Sequence, residues 1–214
     1  MFKDQRNVLG ILLILFGTYL ALEQFGIIPV AARGLVPAVL FGFGAFSLFS
    51  MYFANTTRWW AVMVGFFLSG LACSALLGVF APEMSARVSG TLFFLGLSLG
   101  FASAYVVQRE NWWAIIPSGV MLSLAAVTFF ENTPGVSFEP GGLLFIGMGL
   151  TFLLLSTVKS NNIRLSWGIY PGIPLLIFGV MLTLGTEESW AVMGPLLLVA
   201  GGVWLLYSSL RKRS

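Results

Sequence analysis

The chain has 214 residues, of which 58% are hydrophobic and only 9% are charged, whereas a soluble domain usually carries about 25% charged residues. A chain of this size leaves about 30% of its unfolded surface exposed after folding, so such an apolar composition excludes a water-soluble protein and requires a surface that faces lipid. The net charge of +3 does not indicate nucleic-acid binding, because the basic residues are scattered singly between hydrophobic runs.

Eight hydrophobic runs follow one another along the chain, each close to the roughly 20 residues that a helix needs to cross about 30 Å of hydrocarbon. The sequence therefore predicts an all-α integral membrane protein, an eight-span helical bundle. The predicted spans are 8–25, 35–54, 60–80, 88–107, 113–130, 141–158, 167–184 and 190–210.

The first run also has features of a signal peptide. Lys3 and Arg6 precede its apolar stretch, and the small residues Ala31 and Ala32 follow it as a possible cleavage site. Because the run fits the internal repeat described below, we predict that it is retained as a span, and a cleaved leader is the alternative.

Lysine and arginine fall mainly on one side of the predicted topology. Nine lie before the first span, after the last, or in a connection from an even to an odd span, and two lie on the opposite side. Short cytoplasmic loops are enriched in these residues, so both termini are predicted to be cytoplasmic. The nine are Lys3, Arg6, Arg58, Arg109, Lys159, Arg164, Arg211, Lys212 and Arg213, and the two are Arg33 and Arg87.

A basic and aromatic signature recurs where the third, fifth and seventh spans begin. Trp60 and Trp113 are 53 residues apart, and Trp113 and Trp167 are 54 residues apart. Tryptophan prefers the headgroup level of a bilayer and arginine the cytoplasmic side. We therefore predict that these residues are interfacial anchors: Arg58, Trp59, Trp60, Arg109, Trp112, Trp113, Arg164 and Trp167.

The same spacing divides the chain into four tandem two-helix units in one transmembrane domain, at about 6–57, 58–108, 109–163 and 164–214. Counting back 53 residues from Trp60 gives Asn7, beside Arg6, so the first unit fits although it lacks the tryptophans. Each unit contains an even number of spans, so all four are predicted to share one orientation, with any pseudo-symmetry axis along the membrane normal.

Small residues cluster in the second helix of each unit. Helices in a bilayer associate by close packing, and small residues let their backbones approach. We predict that these glycines are helix-packing positions, and a glycine-lined conduit is the alternative. They are Gly42, Gly44, Gly96, Gly100, Gly147, Gly149, Gly201 and Gly202.

The sequence offers no residues for catalysis, metal binding or cofactor binding. Histidine, the commonest general base near neutral pH and a common metal ligand, is absent. The single cysteine, Cys73, lies in an apolar run, where cysteine is more often a small hydrophobic residue than a reactive thiol. Glu187 and Glu188 are adjacent, so their side chains do not face each other, and no glycine-rich turn has the context of a nucleotide site.

Proline interrupts two odd-numbered spans at matching places. Pro117 follows Trp113 by four residues and Pro171 follows Trp167 by four, with Gly119 and Gly172 close behind. Broken helices at corresponding repeat positions are typical of transporter binding sites. The alternative is that each proline lies in the first helical turn, where it removes no hydrogen bond.

The opening unit, with residues 6–17 (RNVLGILLILFG) followed by a turn and a second span, resembles the two-span region of bacterial LiaI and LiaF envelope proteins. The later units are also similar to the repeats of small HdeD-type membrane proteins. The resemblance implies a bacterial cytoplasmic membrane protein, with a role in envelope stress or membrane-embedded regulation. Because Leu210 is followed by only four residues, we expect no soluble C-terminal domain of the LiaF kind.

These observations favour a non-enzymatic multi-pass protein of the bacterial cytoplasmic membrane, structural or regulatory. Its expected partners are the lipid bilayer and either itself or another membrane protein, with no nucleic acid and no cofactor. The alternative is a small transporter or channel for a neutral solute that uses the breaks at Pro117 and Pro171.

Overall fold

A computed structural model describes residues 14, 17–19, 21–28, 30–136, 138–160, 163–185 and 199. Half of the predicted first span and nearly all of the predicted eighth span therefore lie outside the described residues. Within residues 17–28, the segments 17–19 and 21–24 are helical. A hydrogen bond of 2.7 Å from the Tyr19 hydroxyl to the Arg33 carbonyl joins this stretch to the helix that follows.

The described chain is helical apart from its connections. Five of its helices are long and apolar enough to cross a membrane, and a sixth apolar helix, Gly141–Thr157, has 17 residues. The chain thus has the features of a multi-pass membrane protein. The α-helices are α1 (Val30–Ala54), α2 (Trp59–Phe80), α3 (Pro82–Val107), α4 (Ile115–Glu131), α5 (Gly141–Thr157) and α6 (Ile169–Leu184).

Two helices begin earlier than the hydropathy predicts. α1 begins at Val30 rather than at residue 35, and α3 begins at Pro82 rather than at residue 88. Proline suits the first helical position because its fixed φ is already helical and its missing N–H would have no partner there. Polar residues in the first turns of α3 lower the local hydropathy, so the hydropathy pattern did not reveal this start.

Short elements that the sequence analysis did not predict lie before α4 and α6. A 3-10 turn, Trp112–Ala114, leads directly into α4, and a second, Ser166–Gly168, leads into α6. Between α5 and that second turn, Lys159–Ser160 pairs with Ile163–Arg164 as a two-residue antiparallel ladder.

Each helix packs against the helices before and after it in the chain, and contacts between other described helices are sparse. All five neighbouring pairs are antiparallel. For example, Gly100 lies near Met63 and Gly96 lies near Gly70, so residue numbers increase along α3 in the direction in which they decrease along α2. The described helices therefore run up and down in chain order.

Small side chains fill the contacts, and large ones point outward. The buried apolar residues of the described chain are mostly alanine, and Leu155 is its largest fully buried side chain. Phe43, Phe53 and Tyr170 are 71%, 78% and 82% exposed. A soluble protein buries such residues, whereas helices in lipid pack through small ones. The distribution fits a bilayer around the helices.

Candidate functional site

Three turns that share one hydrogen bond and a similar conformation of their first residue precede or open α2, α4 and α6. We call residues 58–61, 111–114 and 165–168 the tryptophan turns. In each, the fourth N–H donates to the first carbonyl, at 3.0, 3.0 and 3.1 Å. The first residue has φ of −86°, −80° and −80° and ψ of 57°, 42° and 43°. The donors are Ala61, Ala114 and Gly168, and the acceptors are Arg58, Asn111 and Leu165.

The side chains of the tryptophan turns also match. The indoles of Trp60, Trp113 and Trp167 are 45%, 42% and 43% exposed. The next residue is buried in each turn, and Ala61 and Ala114 are 0% exposed. At Gly168 a Cβ would clash with the Phe152 carbonyl oxygen, so any other residue at this position would force the backbone to move. A half-exposed indole beside a buried small residue suits an anchor at the headgroup level.

Aromatic contacts join these turns to their surroundings. The Trp59 and Trp113 rings meet edge to face at 6.4 Å, and Phe101 meets Trp113 at 6.4 Å. Trp59 belongs to α2 and Trp113 leads into α4, so the pair bridges the end of α3. In the third turn, Phe152 meets Trp167 at 6.0 Å.

The remaining predicted anchors lie at the same end. Trp112 opens its 3-10 turn and is partly exposed. The Arg109 guanidinium lies 4.7 Å from the centre of the Tyr105 ring, which is within the range of a cation–π contact. Arg58 precedes α2, and Arg164 belongs to the two-residue ladder.

One close helix approach has glycines on both sides, where α2 crosses α3. A Cβ at Gly96 would lie 3.0 Å from the Gly70 Cα, and a Cβ at Gly100 would lie 2.6 Å from the Met63 carbonyl oxygen. Neither position has room for a larger residue unless the backbone moves. Gly96 and Gly100 were identified from sequence, but Gly70 was not.

The other predicted glycines of the described chain also lie at helix contacts. Gly147 approaches Ser123 of α4, and a Cβ at Gly149 would lie 2.8 Å from the Gly172 carbonyl oxygen of α6. At the two predicted glycines of α1 the contacts with α2 are looser, since a Cβ at Gly42 would lie 4.0 Å from the Ala72 Cβ, and one at Gly44 3.0 Å from Leu68 Cδ1. Gly201 and Gly202 lie outside the described residues.

The prolines that the sequence analysis singled out lie in the first turns of their helices. Pro117 is the third residue of α4 and Pro171 the third of α6, and both helices continue without interruption. Gly119 faces Thr151 of α5, and Gly172 contacts Leu153 and Gly149. The structure thus places Gly119 and Gly172 against α5.

Hydroxyl groups that sequence reasoning missed join α3 to α4. Ser98 Oγ donates to the Ser118 carbonyl at 3.0 Å, and Ser118 Oγ donates to the Ser98 carbonyl at 3.0 Å. Near the other end, the Thr91 and Thr128 hydroxyls are 3.2 Å apart. The available signal was serine and threonine inside apolar runs, since such residues often bond across helices in lipid.

The described residues bring no cluster of potential metal ligands together. No group of three or more potential metal ligands occurs in the described ranges. The grooves between helices are apolar over most of their length; one, of about 310 Å³ between α2 and α3, is lined by Phe66, Cys73, Leu92, Leu95 and Leu99 among others. What this arrangement offers is close helix contact and grooves that face lipid.

Comparison with known protein families, with curated proteins and with solved structures gives no match to this chain. The resemblance to LiaI, LiaF and HdeD-type proteins therefore depends on the residues of the first unit and on the repeat spacing alone.

Proposed function

We propose that this chain is a non-enzymatic, structural or regulatory protein of the bacterial cytoplasmic membrane, which acts through helix contacts with itself or with another membrane protein. The observation that carries this proposal is the small-residue packing between neighbouring helices. Gly70 with Gly96, and Gly149 with Gly172, bring backbones together where a solute path would need space. Such contacts are how helices recognise each other in lipid.

The proposal includes eight spans in four tandem units, with both termini in the cytoplasm. The three tryptophan turns support the repeat, because they recur at spacings of 53 and 54 residues with the same hydrogen bond and nearly the same indole exposure. The antiparallel order of α1 to α6 supports alternating spans. The excess of basic residues at the tryptophan-turn end supports a cytoplasmic location for that end.

Reconstituted liposomes test the proposal against transport. We expect no flux of glycerol, urea or a neutral sugar above that of empty liposomes, because no described charged group lines a path through the helices. The double variant Pro117→Ala, Pro171→Ala should keep its fold, since proline in a first turn removes no hydrogen bond. Robust flux in the native protein that this double variant loses would overturn the proposal in favour of a transporter.

A further inference from the structure

A groove between α3 and α4, made of two pockets that share Phe129, extends from a charged end into the apolar region. Its deep part, of about 260 Å³, is lined by Thr91, Leu95, Leu122, Ala125, Ala126, Phe129 and Phe130. Its upper part, of about 200 Å³, shares Phe129 and adds Arg87, Val88, Asn132, Thr133 and Pro134.

The spacing of the lining residues shows that the groove follows one stripe of each helix. On α3 the stripe contains Val88, Thr91 and Leu95, and on α4 it contains Leu122, Ala126 and Phe129. Residues three and four apart lie on the same helical face. From Arg87 to Leu95 the groove descends eight residues, about 12 Å, which is close to half of the roughly 30 Å hydrocarbon thickness. It therefore has the depth of one leaflet.

Small residues make room between these two stripes. Ala125 lies at the floor of the groove and is 2% exposed. Ala126 lines the groove beside the exposed side chains of Leu122 and Phe129. Because the groove is open toward the surroundings of the helices, whatever fills it must be compatible with hydrocarbon. An extended acyl chain meets that requirement.

Two opposite charges at the upper end complement those of a zwitterionic headgroup, with the positive side chain closer to the apolar region. Arg87 lies at the top of the apolar groove, and Glu83 lies one helical turn closer to the helix start, about 6 Å along the axis. Both side chains line the same cavity of about 390 Å³, and both are exposed. Among the described residues, no ion pair joins the Arg87 guanidinium to a carboxylate. Guanidinium groups bind phosphate, and carboxylates accept hydrogen bonds from ammonium groups.

We propose that this groove, which we call the α3–α4 groove, binds one phospholipid with a phosphoethanolamine headgroup. The acyl chain lies between Leu95 and Ala126, the phosphate contacts Arg87, and the ammonium contacts Glu83. An anionic lipid without an amine fits less well, because it would bring negative charge to Glu83 without a compensating cation. The inference requires only that this part of the chain lies in a bilayer.

Native mass spectrometry of the full-length protein tests the site. The protein is offered equal amounts of phosphatidylethanolamine and phosphatidylglycerol with identical chains. We expect the native protein to retain the ethanolamine lipid in preference. Arg87→Gln should lower retention of both lipids about threefold to tenfold, as expected for the loss of a partly exposed charge-assisted hydrogen bond. Glu83→Gln should remove the preference between the two lipids and leave a bound lipid.

Two further variants separate the site from general lipid attachment. Ala126→Phe fills the groove and should lower retention of both lipids, whereas Arg33→Gln, on α1 and outside the lining of the groove, should leave it unchanged. Thermal unfolding of each variant in detergent confirms that the fold is intact. Equal retention by Arg87→Gln and the native protein, or phosphatidylglycerol bound as well as phosphatidylethanolamine, would overturn the proposal.

Discussion

Glycine is the residue on which the described helix contacts depend. The sequence identified Gly96, Gly100, Gly147 and Gly149 as packing positions from their clustering alone, and in the structure each faces a neighbouring helix. Their partners could not be predicted, because hydropathy does not tell which face of an apolar helix meets which neighbour. Ser98 and Ser118 were missed for the same reason: an isolated serine in an apolar run does not indicate its partner.

Two glycines on α3 provide a matched test of this dependence. In Gly100→Ala the new Cβ would lie 2.6 Å from the Met63 carbonyl oxygen, whereas in Gly90→Ala it would lie 3.7 Å from the Thr128 side chain, an ordinary contact. We expect Gly100→Ala to lower the free energy of unfolding by about 1–3 kcal/mol, the usual cost of overpacking. Gly90→Ala should cause no loss. Denaturant unfolding in micelles measures both, and equal losses would contradict the close contact.

At the scale of single elements, the sequence was most informative. The predicted spans 60–80, 113–130, 141–158 and 167–184 each overlap a helix of the structure with ends that differ by at most two residues. The 3-10 turns before Ile115 and Ile169 were not predicted, because tryptophan followed by a small residue resembles the start of an ordinary helix. The early start of α3 at Pro82 was missed because Glu83 and Arg87 lower the local hydropathy.

The pairing of α3 with α4 can be measured through its two reciprocal serine bonds. We expect Ser98→Ala and Ser118→Ala each to lower the free energy of unfolding by about 0.6 kcal/mol and at most about 1.7 kcal/mol, as for other hydrogen bonds between helices in membranes. Each hydroxyl donates to the other residue's backbone carbonyl, which neither substitution removes, so the two losses should be nearly additive in the combined variant. Denaturant unfolding in micelles measures these losses, and Thr157→Ala, whose hydroxyl bonds only within α5, is the control and should cause a smaller one. Losses in the serine variants no larger than that of Thr157→Ala would exclude the pairing.

For the whole molecule, composition predicted a membrane protein and hydropathy predicted its helical spans, but neither predicted the arrangement of the helices. That arrangement depends on contacts such as Gly70 with Gly96 and Gly142 with Gly179, which involve faces of nearly uniform hydropathy. The orientation across the bilayer depends on the basic residues instead, and it remains a prediction.

The two ends of α3 allow the orientation to be tested on one helix. Met84 is 54% exposed near its start, and Glu110 is exposed just beyond its end. In a Cys73→Ser background, Met84→Cys should react with an impermeant thiol reagent in intact cells. Glu110→Cys should react only after the membrane is permeabilised, because the excess of arginine and lysine places that end in the cytoplasm. Reversed labelling of the two positions would rule out the proposed topology.

Because each described helix packs mainly against its sequence neighbours, assembly can keep pace with synthesis. A nascent chain that has emerged as far as Val107 already contains both sides of the Gly70 and Gly96 contact. The contacts among α1, α2 and α3 can therefore form before the later helices are made. Proteins rich in contacts that are local in sequence fold fast, and chains fold from the N-terminus as they are made. Insertion can therefore proceed hairpin by hairpin, with each new pair docking on the pair before it.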